Sequence, residues 1–162
     1  MASGPEKRDG SAIVNAPASS DTPRWDGIWF VVPWQVIFRD VDAFGHVNNA
    51  VYLTYFEWAR AQLWFSLTGG SAPTDIGFIV ARAECDFLAQ IGMERIDIRV
   101  RIGEMRNTSF DTHYEIRKLN GGVLAATGKV VVVLFDWKLQ RSMRIPDALR
   151  AQIREHGGGS QR

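Results

Sequence analysis

A chain of 162 residues that is 46% hydrophobic has room for one domain and for a core that needs no covalent staples. With 19 Lys and Arg against 18 Asp and Glu, a formal charge of +1 provides no overall field that would favour nucleic acid or an anionic membrane. The single cysteine, Cys85, excludes an intrachain disulfide, and no stretch nears the roughly 18 consecutive apolar residues of a membrane span.

Residues 1–24 are rich in Ser, Ala, Pro, Gly and charge and read as a disordered tail without the apolar centre of a signal peptide. Together with the lone cysteine this fits a reducing, cytoplasmic setting. Trp29 to Phe38 is aromatic and β-branched and reads as a strand, with Pro33 marking an edge or a bulge. Asn49 to about Leu67 reads as one helix, roughly 30 Å long at 1.5 Å per residue. Asn49 suits its N-cap and Gly69-Gly70 its stop. Between Ala50 and Leu67 only Thr54, Glu57, Arg60, Gln62 and Ser66 are polar, and they share no stripe. Such a helix is expected to be buried nearly all round, wrapped by something else.

The wrapping follows in the chain. Ile79 to Phe87, Ile96 to Ile102 and Phe110 to Arg117 alternate apolar with charged or polar residues, each a strand with one wet face. Asn120-Gly121-Gly122 signals a hairpin turn. Leu124 to Trp137 is apolar on both faces, as a central or partner-covered strand would be. Pro146 to about Glu155 reads as a short amphipathic helix, and residues 156–162 as a flexible tail. The ordered domain is therefore expected over 25–155, an α+β arrangement with an antiparallel sheet. Neither a GxGxxG nor a P-loop is present, and no Cys, His and carboxylate set has metal-ligand spacing, so no metal is expected.

Between the first strand and the helix lies Arg39-Asp40-Val41-Asp42-Ala43-Phe44-Gly45-His46-Val47-Asn48-Asn49. A helix start presents free N–H groups and a partial positive charge. Gly45 permits tight backbone geometry and close ligand approach. A carboxylate, Asp42, beside aimed amides can attack or activate water while the amides hold a developing oxyanion, which is the equipment of acyl transfer.

The run from Asp40 to Tyr52, followed by Tyr55-Phe56-Glu57 and Arg60, resembles the signature of the 4-hydroxybenzoyl-CoA thioesterase-like hotdog family, whose acyl-CoA thioesterases commonly read D-x-D-x-x-G-H-V-N-N-x-x-Y. Arg106-Asn107-Thr108-Ser109-Phe110 resembles the family's segment opening the fourth strand. The resemblance implies a hotdog fold, about five antiparallel strands wrapped around one long central helix. It implies hydrolysis of an acyl-CoA or acyl-carrier-protein thioester, with coenzyme A entering as part of the substrate and no separate cofactor. Asp42 takes the position of the catalytic carboxylate, as nucleophile or as general base on water. The Asn49 N–H falls where the family polarises the thioester carbonyl. His46, Asn48 and Tyr52 would line the reacting centre with Gly45 and Val47. Arg106, with Thr108 and Ser109, falls in the CoA-contacting segment, although Asn107 and Thr108 are neutral where the family can carry a basic cluster. The family's site lies between subunits, which implies a homodimer or homotetramer. The alternatives are a hotdog-fold enoyl-CoA hydratase or dehydratase, and a non-catalytic acyl-CoA-binding module.

Plainer roles are assigned to the neighbours. Asp40 is expected to orient the loop by hydrogen bonding, and the side chains of His46, Asn48 and Asn49 to brace or cap it. Glu57 and Arg60, at i and i+3, are expected to pair. Cys85 is expected to be inert packing on an inward face.

Overall fold

The structure, a computed structural model, describes residues 21–159. Residues 1–20 and 160–162 of the two expected tails lie outside the described residues. In chain order the elements are β1 (Arg24–Asp26), β2 (Trp29–Gln35), α1 (Asn49–Thr68), β3 (Phe78–Phe87), β4 (Arg95–Met105), β5 (Ser109–Lys118), β6 (Leu124–Asp136), β7 (Arg141–Ser142) and α2 (Asp147–Glu155). The strands form one seven-stranded antiparallel sheet in the order β1-β2-β4-β5-β6-β3, with β7 on β6. The five long strands are those read from the sequence. The two additional ones, β1 with 3 residues and β7 with 2, are too short to show a period.

The topology places the helix. Strand β2 pairs with β4, yet the next strand in the chain, β3, pairs with β6 at the opposite edge. The connection must therefore cross the whole sheet, and α1 is that crossing, laid over the inner face. Its residues Phe56, Ala59 and Leu63 meet Ile98, Val100, Ile116 and Val132 of the sheet in one buried core. Pro33 sits where β2 extends past the end of β1, whose pairing stops at Val31, so its missing N–H costs no ladder bond there. At the tip of the β5–β6 hairpin Gly121 and Gly122 have φ of 80° and 64°, which side chains resist.

Two expectations about α1 need correction. Its N-cap is Asn48, whose Oδ1 accepts the Ala50 N–H at 2.9 Å, one residue before the Asn expected. Nor is the helix buried all round. One face is covered by the sheet, while Leu53, Thr54, Glu57 and Trp58 remain exposed. Apolarity without a stripe told of two apolar faces, and this chain covers one of them. Strand β3 is exposed to match. It is the sheet's edge, and from Arg82 to Glu84 both of its faces are open, with a bulge between Val80 and Arg82.

The fit of helix to sheet is tightest at Gly128 of β6. A Cβ there would collide with the Phe56 ring and stand 2.9 Å from the Glu84 carbonyl oxygen. Gly128→Ala is therefore expected to cost ~1–3 kcal/mol by overpacking, read from urea unfolding of the two proteins. At the other end of α1, the last described residues close the core. His156 stacks on Trp25 with ring centres 3.8 Å apart, and the Gly159 N–H donates to the Gly103 carbonyl at 2.9 Å.

Candidate active site

The sequence between β2 and α1 folds as a tight loop held mostly by its own backbone. The Asp42 N–H donates to the His46 carbonyl at 2.9 Å, and the Gly45 N–H to the Asp42 carbonyl at 3.0 Å. Gly45 has φ of 82°, the left-handed geometry this reversal requires. Flanking it, Val41 and Val47 form an isolated bridge, and the Val47 N–H donates to the Ile91 carbonyl at 2.8 Å, tying the loop to the β3–β4 connection.

The two aspartates have different surroundings. Asp40 is buried, and its Oδ2 accepts the Tyr55 hydroxyl at 2.8 Å and, more weakly, the Ile37 N–H at 3.4 Å. Burial first, then the bond to Asp40, holds the Tyr55 phenol well above its ordinary range. Asp40 therefore pins the loop to the helix. Asp42 is half-buried; its Oδ1 accepts the Phe44 N–H at 2.8 Å and lies 3.5 Å from the His46 nitrogen. Its Oδ2 has no hydrogen bond within the described residues.

Asp42 opens onto a cleft of about 440 Å³. The start of α1 contributes Asn49 and Tyr52, the loop contributes His46 and Val47, and the end of β3 contributes Phe87 and Leu88. Next to the cleft, the Asn48 N–H is taken by the Asp40 carbonyl at 2.9 Å and the Ala50 N–H by the Asn48 side chain. The Asn49 N–H between them has no such partner within the described residues and belongs to the free first turn. Tyr52 is buried, packs edge-on against Phe87 at 4.9 Å, and has its hydroxyl held protonated by burial, then by the neighbouring Cys85. Cys85 packs against the core as expected, and burial and the nearby Asp86 push its thiol up to about 11. Among the described residues no group of three or more His, Cys, Asp or Glu side chains could hold a metal ion.

Of the residues expected at the site, Asp42, His46, Val47, Asn49 and Tyr52 line this one cleft, and Gly45 and Asn48 shape its rim. Arg106, Thr108 and Ser109 do not. They sit at the β4–β5 turn, while the cleft lies by the start of β4; the 11 residues of that strand separate the two by roughly 35 Å. The wall formed by Phe87, Leu88, Ala89 and Gln90 was missed in the sequence. Its signal was there: after Phe87 the alternation breaks into an apolar pair, because the Leu88 and Ala89 N–H groups share the Ala125 carbonyl.

Arg106 is engaged within its own chain. It donates to Asp111 Oδ1 at 2.7 Å, Lys129 reaches Asp111 Oδ2 at 2.9 Å, and Arg150 from α2 donates to the Arg106 and Asn107 carbonyls. Burial opposes ionisation of Asp111, but the bonds and charges of Arg106 and Lys129 outweigh it and leave the carboxyl below its usual range. A carboxyl with a depressed folded pKa stabilises fully above its unfolded value, near ~3.9, and loses that contribution as pH falls through the folded value. Asp111→Asn is accordingly expected to melt well below wild type at pH 6, with the gap narrowing as both are acidified below pH ~4, checked by thermal scans across that range.

Residues 36–153 match the thioesterase-like superfamily. The chain belongs to this family. Its structure superposes on a thioesterase from Thermus thermophilus complexed with coenzyme A and Zn, with a TM-score of 0.70 and 32% identity, over 81% of this chain and 96% of that one. It also superposes on a predicted thioesterase from Bacillus stearothermophilus, with a TM-score of 0.74 and 26% identity, over 82% and 99% of the two chains. The uncharacterized protein YsmA of Bacillus subtilis (strain 168) is 33% identical over 99 residues, covering 60% of this chain and 67% of its own. The fold is thus the hotdog arrangement, and the reaction class of this thioesterase is hydrolysis of a thioester.

Proposed function

We propose that the protein hydrolyses acyl-CoA thioesters to free CoA and a carboxylic acid at the Asp42 cleft. The observation that carries this is a juxtaposition: one carboxylate and the free first turn of α1 open on the same cleft. Asp42 attacks the thioester carbonyl, giving an anhydride that water then cleaves, or takes the proton of an attacking water. The Asn49 N–H stabilises the oxyanion that forms, and collapse of that oxyanion breaks the C–S bond and releases the CoA thiolate, which takes up a proton from the water consumed. Tyr52, with Phe87 and Leu88, forms the apolar wall on which the acyl group rests, and His46 borders the reacting centre. These parts supply a nucleophile or base and an electrophilic donor, so the reading includes no cofactor beyond the CoA of the substrate. A cytoplasmic location, where acyl-CoA is made and used, belongs to the same reading.

The remote position of Arg106 supports assembly into a homodimer or a homotetramer. β3 is an open edge. Its Phe87 end borders the cleft and its Phe78 end lies by the β4–β5 turn, since the Leu134 N–H opposite Phe78 donates to the Thr108 carbonyl at 2.8 Å. Two β3 strands paired antiparallel about a two-fold axis bring Phe78 of one copy beside Phe87 of the other. Arg106, Thr108 and Ser109 of the partner subunit then stand at the mouth of the Asp42 cleft, where a guanidinium can meet the phosphates of CoA.

The test is a thiol-release assay over short, long and aromatic acyl-CoAs, run beside an enoyl-CoA monitored for water addition. Free thiol from at least one acyl-CoA, dependent on protein concentration, is expected. Enoyl-CoA hydration without thiol release would overturn the reading, as would binding of acyl-CoA with neither.

A further inference from the structure

Among the described residues, two charged side chains of α1 lack an ionic partner. Arg60 is only 7% exposed. Its Nη1 donates to the Tyr114 hydroxyl at 3.1 Å, its guanidinium carbon lies 5.6 Å from the centre of the Phe78 ring, and its buried Nε has no acceptor. It takes part in no ion pair within the described residues. Glu57, the partner expected from the sequence, is exposed and makes no hydrogen bond or ion pair there either. The reason is angular: Arg60 lies on the face that Phe56 and Leu63 bury, and Glu57 on the face left open. A buried guanidinium without a carboxylate is an arrangement proteins avoid, because one hydroxyl and one ring face replace only part of the lost hydration and leave the charge uncompensated.

Both residues border one groove of about 420 Å³ between α1 and the first half of β3, walled mostly by apolar groups such as Trp58, Phe65, Phe78 and Val80. Trp58 and Val80 are 44% and 48% exposed. Whatever covers this face must offer a carboxylate toward Arg60, pair with an open strand edge and bury an indole. A second copy of this chain has all three. Phe87 packs against Tyr52, Gly128 opposite Cys85 packs against Phe56, and Phe78 packs against Trp64 at 5.1 Å. The middle of β3 is therefore level with the stretch of α1 from Glu57 to Ala61. A two-fold axis through the middle of β3 sets the two α1 helices antiparallel, with Glu57 of each level with Arg60 of the other.

We propose that Glu57 of each protomer forms an ion pair with Arg60 of the partner subunit, giving two reciprocal buried bridges at the two-fold axis. The inference rests on the β3 pairing proposed above. The bridges supply the acceptor that Arg60 lacks among the described residues of its own chain. They also fix the register of the two strands, because a slip of β3 against β3 separates both pairs at once.

Subunit exchange between two differently labelled pools of the full chain, followed by energy transfer, tests this. Glu57→Gln is expected to fold, as judged by circular dichroism, and to exchange at least tenfold faster than wild type or to sediment as monomer. Glu57→Asp, which keeps the charge, is expected to fall between them, and Glu155→Gln on α2 to exchange like wild type. Equal exchange by wild type and Glu57→Gln would overturn the bridge and leave the two-fold dimer standing. A wild-type chain that sediments as monomer would overturn both. Thiol release judges the chemistry independently of either result.

Discussion

Asp42→Asn is expected to lower kcat by about 10²–10⁴, the usual contribution of a positioned acid or base, while the protein stays folded. The separation of these effects follows from the loop. Asp42 supports the turn through Oδ1, which accepts the Phe44 N–H, and through its backbone bonds with His46 and Gly45. An asparagine keeps an accepting oxygen in the same place and keeps the backbone unchanged. What it loses is the negative charge on the oxygen not used by the turn, which is the one able to attack or to take a proton. Parallel measurement of kcat and melting temperature checks this. A folded Asp42→Asn protein with near-normal turnover would remove Asp42 from the chemistry and return it to the role of a turn residue.

Phe56→Ala is expected to cost ~3–5 kcal/mol, a large share of the ~5–15 kcal/mol that holds a domain together. Phe56 has no exposure, stacks on Tyr114 with ring centres 4.3 Å apart and fills the space left by Gly128. Its neighbours are the rigid middle of a helix and two paired strands, so the hole cannot collapse. Urea unfolding gives the number, and a loss of only ~0.5 kcal/mol, the scale of a surface change, would mean that the helix settles onto the sheet after all.

Much of this was legible because period and position agree. The alternations at Ile96 to Ile102 and Phe110 to Arg117 became β4 and β5 with the inward residues as read. The loop before α1 was legible because its structure is local, set by Asp42, Gly45 and the amides around them. Contacts made across the chain were not. Nothing near Phe87 in sequence tells that it packs on Tyr52, and nothing near Arg60 tells that it turns toward Tyr114, away from Glu57. Arg106 shows the same limit from the other side. Its motif placed it correctly at the opening of a strand, while its distance from Asp42 depends on the length of β4.

The sheet order also constrains how the chain reaches its final form. Strand β3 is made early, but its neighbour β6 begins only at Leu124, after β4 and β5 have been added. In that interval an extended segment holding Ile79, Val80 and Phe87 has no partner on either edge, the condition in which strands mispair with those of other chains. Arg82, Glu84 and Asp86 interrupt it at every second residue. On the folded subunit these charges line one face of β3, where Arg82 pairs with Glu84 at 2.6 Å; on the nascent chain they are gatekeepers, protecting the strand until β6 arrives.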